Sequence, residues 1–303
     1  NGGITVYAPD GAPALALAQL MSEENGFDKN VSYHIVSSAE INSCVTYTDD
    51  SKNADLCILP VNAASKFLGG GERYKMLGTV THGNLFIVAS ADKQTLTSEN
   101  FASALSDKKV GGGNFAAFPG SAAKLILNKY GISDSVTLEN VAATQVTGTE
   151  TQYDYFVIPE PAASTRVANV NLNLKQVGSL QSLYGENGYP QAVLVAKNSL
   201  IEKEPAFITE FIGAMTDGAN WLLNESVGAD TILSAVKKHY ADPENTKPAF
   251  TAANLTKAVI RNCAINFVSS ADSKERVKTF LNELTAVNDG TATAVSDGFF
   301  YSA

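Results

Sequence analysis

Residues 4–21 read ITVYAPDGAPALALAQLM: a β-rich run, Ile4 to Ala8, then Pro9-Asp10-Gly11, then an Ala/Leu segment with Pro13 near its start. Proline suits a first helical turn, because its missing N–H has no intrahelical partner there and its fixed φ is already helical. The stretch therefore predicts a strand over 4–9 and a helix over 12–24. Ala14, Leu17, Ala18 and Met21 fall at i, i+3, i+4 and i+7 of that helix, on one apolar face. Between the two elements, Asp10-Gly11-Ala12-Pro13 sits where a strand's carboxyl end meets a helix N-terminus. Unpaired N–H groups and the positive end of the helix dipole converge there, and ligands of open α/β sheets bind at such junctions.

The same rhythm continues outward. Patterning predicts strands over 31–36, 54–60 and 74–80, with helices over 38–47 and 62–69. The run 54–60 is apolar throughout, as in a sheet covered on both faces. Strands alternating with helices imply β-α-β units and parallel sheet. Residues 83–90 then follow strand 74–80 with no helix between them. A second α/β set comes next: helix 98–105, the loop GGGNFAAFPG over 111–120, helix 119–130, an extended run near 135–142, strand 153–159 and helix 160–168. The segment 171–188 reads as irregular and 189–196 as a strand. From about 200 the chain reads as helix after helix, over 204–224, 227–240, 251–261 and 272–288, the last stopped by Asn288-Asp289-Gly290. Two α/β sets predict two lobes. Lobe one is discontinuous, 1–83 plus 189–303, lobe two is 84–188, and hinge crossings fall near 81–84 and 186–190.

A chain of 303 residues is long enough for two cores. Its net charge of −9 argues against nucleic acid as a partner, since phosphate binding needs clustered Lys and Arg. Three dispersed cysteines, Cys44, Cys57 and Cys263, form neither a disulfide framework nor a zinc spacing, and read as buried thiols. No run approaches the ~20 apolar residues of a membrane span. Because Asn1-Gly2-Gly3 is an abrupt start without Met, a targeting segment is expected to lie outside this sequence. The chain contains no HExxH or GxSxG motif, no paired-carboxylate signature and no Cys/His metal spacing, so no catalytic residue, metal or cofactor is expected.

Several segments resemble the solute-binding proteins of ABC importers, of the NMT1/ThiY-like or SsuA/TauA-like kind. The resemblance rests on DGAPALALA in the opening segment, ADLCILPVNAASKFL (54–68), YKMLGTVTHGNLFIVAS (74–90), DYFVIPEPAASTRV (154–167) and AINFVSSADSKERVKTFLNELTAVN (264–288). It spans nearly the whole chain as pattern rather than as an invariant signature. It implies a two-lobed α/β fold of the type II periplasmic-binding-protein kind, two sheets flanked by helices, with an interlobe cleft that closes on a ligand about a hinge. One departure is that 140–153 lacks the helix expected between the last two strands of lobe two.

The candidate ligand-binding residues follow from these junctions. Asp10, Gly11, Ala12 and Pro13, then Asn62 and Ala63, then Gly120 and Ser121 stand at helix starts, although every α/β protein has such starts and Asn62 and Ser121 can serve as caps. The glycines at 111–113 match neither GxGxxG nor a P-loop, and read better as a loop bringing Phe115 near a ligand, or as packing. Thr81 and Asn84 flank His82-Gly83 at the expected hinge. Glu160, between Pro159 and Pro161, could accept from a ligand amine or support its helix dipole, and Tyr184 could stack on a ring or pack. The expected function is extracytoplasmic capture of a small molecule, by a monomeric periplasmic protein or cell-surface lipoprotein, for delivery to a membrane permease. A planar nitrogen-containing ligand such as a thiamine pyrimidine precursor is favoured. The alternatives are a sulfonate, taurine or nitrate-type anion, or an enzyme of menaquinone-like cofactor biosynthesis with His82 and Glu160 as its acid/base pair.

Overall fold

A computed structural model describes residues 3–23, 26–287 and 290–302. In chain order the elements are β1 (Ile4–Pro9), α1 (Ala12–Ala16), α2 (Ala18–Ser22), β2 (Val31–Val36), β3 (Leu56–Pro60), α3 (Val61–Leu68), β4 (Tyr74–Thr81) and β5 (Leu85–Ser90). There follow α4 (Phe101–Leu105), β6 (Lys109–Gly112), α5 (Phe118–Lys129), β7 (Thr137–Asn140), β8 (Tyr155–Pro159), α6 (Ala162–Ala168), β9 (Leu174–Ser179) and α7 (Leu180–Tyr184). The chain continues with β10 (Ala192–Lys197), α8 (Asn198–Lys203), α9 (Pro205–Leu223), α10 (Ala229–Lys237), α11 (Lys257–Asn262), β11 (Ile265–Ser269) and α12 (Ser270–Ala286).

Unit 1 comprises Asn1–His82, Pro190–Leu281 and Thr293–Ala303. Its six-stranded sheet has the order β11-β4-β10-β3-β1-β2. The pairs β1–β2 and β1–β3 are parallel, whereas β10 runs antiparallel to both β3 and β4, and β11 antiparallel to β4. One core gathers Val6, Ile58 and Leu194 with Leu15, Leu17 and the inner stripe of α9, in which Ile208, Phe211, Met215 and Leu222 recur at helical spacing. Burying each such side chain contributes about 1.5–3 kcal/mol.

Unit 2 comprises Gly83–Tyr189 and Asn282–Ala292. Its five-stranded sheet, β7-β6-β8-β5-β9, is likewise mixed. Alternation along β5 sends Phe86 and Val88 into a cluster with Tyr153, Phe156, Ile158 and Ala163. On the opposite face Ile87 lies with Phe101, Leu105, Ala123 and Leu127.

Several expectations need correction. The sheets are mixed rather than parallel, because β10 and β11 in one unit and β5 and β9 in the other run against their neighbours. Helix 12–24 is two short helices, because the Leu17 N–H bonds the Ala14 carbonyl at 3.1 Å, a tight turn that ends α1. Glu24, at its predicted end, lies outside the described residues, as do Asn1, Gly2, Asn288 and Asp289. Instead of helix 38–47 there is a 3₁₀ turn at Ile41–Val45, where the Thr46 hydroxyl donates to the Asn42 carbonyl at 3.0 Å. The run 171–188 holds β9 and α7, and the helical tail contains the edge strand β11. The stretch 251–261 becomes helical only at Lys257, after Thr256 caps it through the Val259 N–H at 3.1 Å. Asn282–Ala292, assigned from sequence to lobe one, belongs to unit 2.

Gly83, the first residue of unit 2, is required on two counts. Its φ is +113°, and a Cβ there would stand 2.3 Å from the Cβ of Gln181. Gln181 cannot simply withdraw, because its Oε1 accepts from the Leu85 N–H at 3.0 Å. Gly83→Ala is expected to cost about 2–3 kcal/mol, read as a fall in the denaturant midpoint. A midpoint equal to that of the native chain would remove this constraint from the fold.

Candidate functional site

In unit 1 the carboxyl ends of β1, β3 and β4 lie along one edge of the sheet, with the start of antiparallel β10 among them. Asp10 lies just beyond β1. Its Oδ2 accepts from the Ala249 N–H at 2.8 Å, and its carboxylate, after burial, helps push the Tyr240 phenol up to about 12. Gly11 turns the chain at φ +109°, with Ala12 buried and Pro13 half-buried behind it. The helix that follows has only five residues, so its dipole is weaker than the sequence implied. Asp10 therefore ties this turn to the 240–249 segment.

The second junction differs. Pro60 precedes α3, whose first turn has no side-chain cap, and the Val61 N–H donates to the Gln191 carbonyl at 2.8 Å. Asn62, in that first turn, is 7% exposed and its Oδ1 is buried without a hydrogen-bond partner. Ala63 is buried beside it. Gln191 Oε1 and Thr79 Oγ1 are also buried and unpartnered. Neither Gln191 nor Thr79 stands out in the sequence, because only the pairing of β10 with β3 and β4 brings them to this end of the sheet.

Thr81 and His82 close the edge. The Thr81 carbonyl accepts from the Gln191 N–H at 3.0 Å and its Oγ1 from the Ala192 N–H at 3.2 Å. His82 is buried, with Nε2 2.7 Å from the Asn266 carbonyl and Nδ1 3.1 Å from an Arg276 guanidinium nitrogen. A guanidinium only donates, so Nδ1 accepts, and the ring proton sits on Nε2, which donates to Asn266. Burial, opposed by the Asn266 carbonyl and aided by the Arg276 charge, holds the imidazole below its ordinary pKa. Tyr7 stacks on His34 with ring centroids 4.6 Å apart.

Unit 2 uses most of its expected site residues in its own construction. Asn84 Oδ1 accepts from the Glu160 N–H at 3.0 Å. The Glu160 carboxylate accepts from the Ser164 N–H at 3.0 Å and from its hydroxyl at 2.5 Å, which supports the start of α6. The glycines are not a phosphate cradle: Gly111 and Gly112 belong to β6, and a Cβ on Gly112 would stand 2.3 Å from the Phe115 ring. Phe115 is thus packed over the strand, with its N–H on Asn140 Oδ1 at 2.9 Å. A Cβ on Gly120 would strike the Phe115 carbonyl, and Ser121 is buried with its hydroxyl 2.7 Å from that of Thr291. Tyr184 is half-buried, edge-on to Tyr189 at 5.8 Å and beneath the Lys129 ammonium at 5.3 Å.

Among the described residues no group of three or more His, Cys, Asp or Glu is placed to hold a metal ion. No described helix is long and apolar enough to cross a membrane.

The folded pKa of His82 lies below the unfolded value of about 6.5, so on acidification the unfolded chain takes up its proton first and stability falls as pH drops through that value. His34 and His239 shift in the same direction through burial. The apparent Tm should therefore fall between about pH 7.5 and about pH 5.5, and fall less in His82→Gln. An identical fall in the variant would show that His82 is not a source of it. Asn84→Ala leaves the Glu160 N–H buried without its acceptor and should cost about 1–3 kcal/mol by chemical denaturation.

No protein-family model and no curated protein matches this chain. Solved structures do. An ABC transporter protein from Parabacteroides distasonis is 16% identical with a TM-score of 0.76, over 100% of this chain and 99% of that one. The periplasmic aliphatic sulphonate-binding protein of Escherichia coli is 11% identical with a TM-score of 0.62, over 97% of this chain and 93% of its own. A Candida albicans gene product with the generic periplasmic binding protein structural fold is 12% identical with a TM-score of 0.59, over 99% and 94% of the two chains. At these identities the likeness shows the fold. The chain has the two-sheet, helix-flanked fold of periplasmic binding proteins, as the resemblance in its sequence implies.

Proposed function

We propose that the chain is an extracytoplasmic solute-binding protein of an ABC importer, which captures a small molecule by hinge closure and delivers it to a membrane permease. The observation that carries this reading is the full-length likeness to an ABC transporter protein, which extends over both units and nearly all of both chains. The protein acts as a monomer, periplasmic or anchored as a cell-surface lipoprotein. The candidate contacts are Asn62, Ala63 and Thr81 with the Asp10–Pro13 turn in unit 1. In unit 2 they are Asn84, Phe115, Gly120, Ser121, Glu160 and Tyr184.

A binding role fits these side chains better than catalysis does. An acid/base step by His82 and Glu160 needs a proton that moves. The two His82 nitrogens are instead fixed between a carbonyl and a guanidinium, and Glu160 holds Ser164. The favoured ligand is planar and nitrogen-containing, such as a thiamine pyrimidine precursor. A sulfonate is the second reading, favoured by the fold shared with a sulphonate-binding protein.

A thermal-shift screen of pyrimidines, sulfonates, nitrate, bicarbonate and amino acids tests the proposal. A ligand at a hundred times its Kd should add about 2.7 kcal/mol to the apparent stability. The radius of gyration from small-angle scattering should fall at saturation with that ligand. An empty screen, or unchanged dimensions with a bound hit, would count against capture by closure.

A further inference from the structure

The first half of β2 is an unpaired sheet edge in unit 1. β2 ends the six-stranded sheet and pairs only with β1 among the strands. In that ladder the Asn30 and Val36 carbonyls accept from the Ile4 and Asp10 N–H groups at 2.8 and 2.9 Å. Even-numbered positions from 30 to 36 therefore face β1, and Val31, Tyr33 and Ile35 turn their backbone N–H and C=O groups outward. Ile35 finds partners there: its N–H donates to the His239 carbonyl at 2.8 Å, and its carbonyl accepts from the Ala241 N–H at 2.9 Å. The N–H and carbonyl of Val31 and the N–H of Tyr33 meet no partner among the described residues.

Val31 and Tyr33 line a cavity of about 200 Å³, below the roughly 300–1,000 Å³ that suits a drug-sized ligand. Its apolar lining comes from buried Leu20 and Met21 of α2 and from Phe27, which packs edge-on to Phe207 with ring centroids 5.2 Å apart. Its charged lining has both signs. Glu23 makes no ion pair among the described residues, and neither does Lys238, whereas Lys29 is held by Glu204 at 2.8 Å. The cavity stands at the amino ends of β1 and β2, where Ile4 and Val31 are partners, and the Asp10 turn lies at the other end of those strands. None of its lining residues belongs to the candidate solute contacts.

We infer that this cavity is a second small-molecule site, for a free α-amino acid with an apolar side chain. The ammonium of such a ligand has the Val31 carbonyl and the Glu23 carboxylate as acceptors, and its carboxylate has the Tyr33 N–H and the Lys238 ammonium as donors. Its side chain lies against Leu20, Met21 and Phe27. A simple apolar carboxylate would leave the Val31 carbonyl unpaired and meet Glu23 with a like charge. A simple amine would meet Lys238 in the same way. An extended peptide added to this edge would run on to Ile35, whose outward groups are already taken.

The test is isothermal titration of the full chain, Lys238→Gln and Glu23→Gln with leucine, leucinamide and N-acetyl-leucine as probes. Both substituted side chains are exposed, so both variants should unfold at the native temperature. Leucine should bind the native chain at one molecule per chain, and each variant about threefold to tenfold more weakly. Leucinamide lacks the carboxylate and N-acetyl-leucine the ammonium, so each should bind the native chain more weakly than leucine does. Leucinamide should lose nothing further in Lys238→Gln, nor N-acetyl-leucine in Glu23→Gln, because the partner charge is already gone. Absence of leucine binding, or equal leucine affinity in all three proteins, would overturn the inference. So would N-acetyl-leucine binding as tightly as leucine, the behaviour of a site for the C-terminal end of a peptide. Each of these results leaves the solute-binding reading standing, since that reading concerns the opposite end of the strands.

Discussion

Unit 1 depends on one strand that arrives late. β10 is buried along its whole length and is inserted antiparallel between β3 and β4. Without it the sheet separates into β2-β1-β3 and β4-β11, and each part loses the partner for one edge. More than a hundred residues separate β4 from β10 in sequence, yet loop-closure entropy grows only logarithmically with length, about 0.6 kcal/mol per doubling. Ladder hydrogen bonds and the burial of Val193, Leu194 and Val195 oppose that cost. The chain leaves unit 1 after Thr81-His82 and re-enters at Pro190-Gln191, and the Thr81 carbonyl and Gln191 N–H bond those two points together.

This insertion also explains what the sequence made legible. A strand buried on both faces announces itself as an apolar run, so β3 was expected near its observed limits, and β1 and β4 were likewise expected near theirs. The edge strands β2 and β7 were expected as well, but the edge strands β9 and β11 were not. β9 alternates Leu174 and Val177 with the polar Lys175 and Gln176 and includes Gly178, a pattern that resembles a loop. β11 is five residues long, and α11 and α12 flank it so closely that its period disappears into theirs. The break at Leu17 left no trace either, because neither Pro nor Gly marks it and the backbone alone makes the turn. Local patterning reports burial, and these features depend on pairing or on a single dihedral.

The candidate site divides in the same way. The strand-to-helix junctions were legible, because a turn flanked by a strand and a helix has a sequence signature. What each polar residue does there was not. Glu160, Asn84, Phe115 and Ser121 look like ligand contacts by type and position, yet each makes a contact within unit 2. Gln191 gave no signal at all. Its place at this end of the sheet comes from β10 pairing with strands more than a hundred residues away.

An unpaired buried polar atom costs about 1–3 kcal/mol, against a total stability of about 5–15 kcal/mol for a typical domain. The rest of the unit 1 edge avoids that cost by several routes: Asp10 finds a backbone N–H, Thr81 the start of β10, and His82 a carbonyl and a guanidinium. Simple substitutions were open to the remaining corner as well, since leucine at 62 or 191 would leave no acceptor wanting a hydrogen. Sites that bind by hydrogen bonding must keep such atoms unsatisfied until the ligand arrives, because a group already paired in the fold has little left to offer. The turn after β1 is satisfied through Asp10, whereas the turn after β3 keeps the side-chain oxygens of Asn62 and Gln191 buried without a partner.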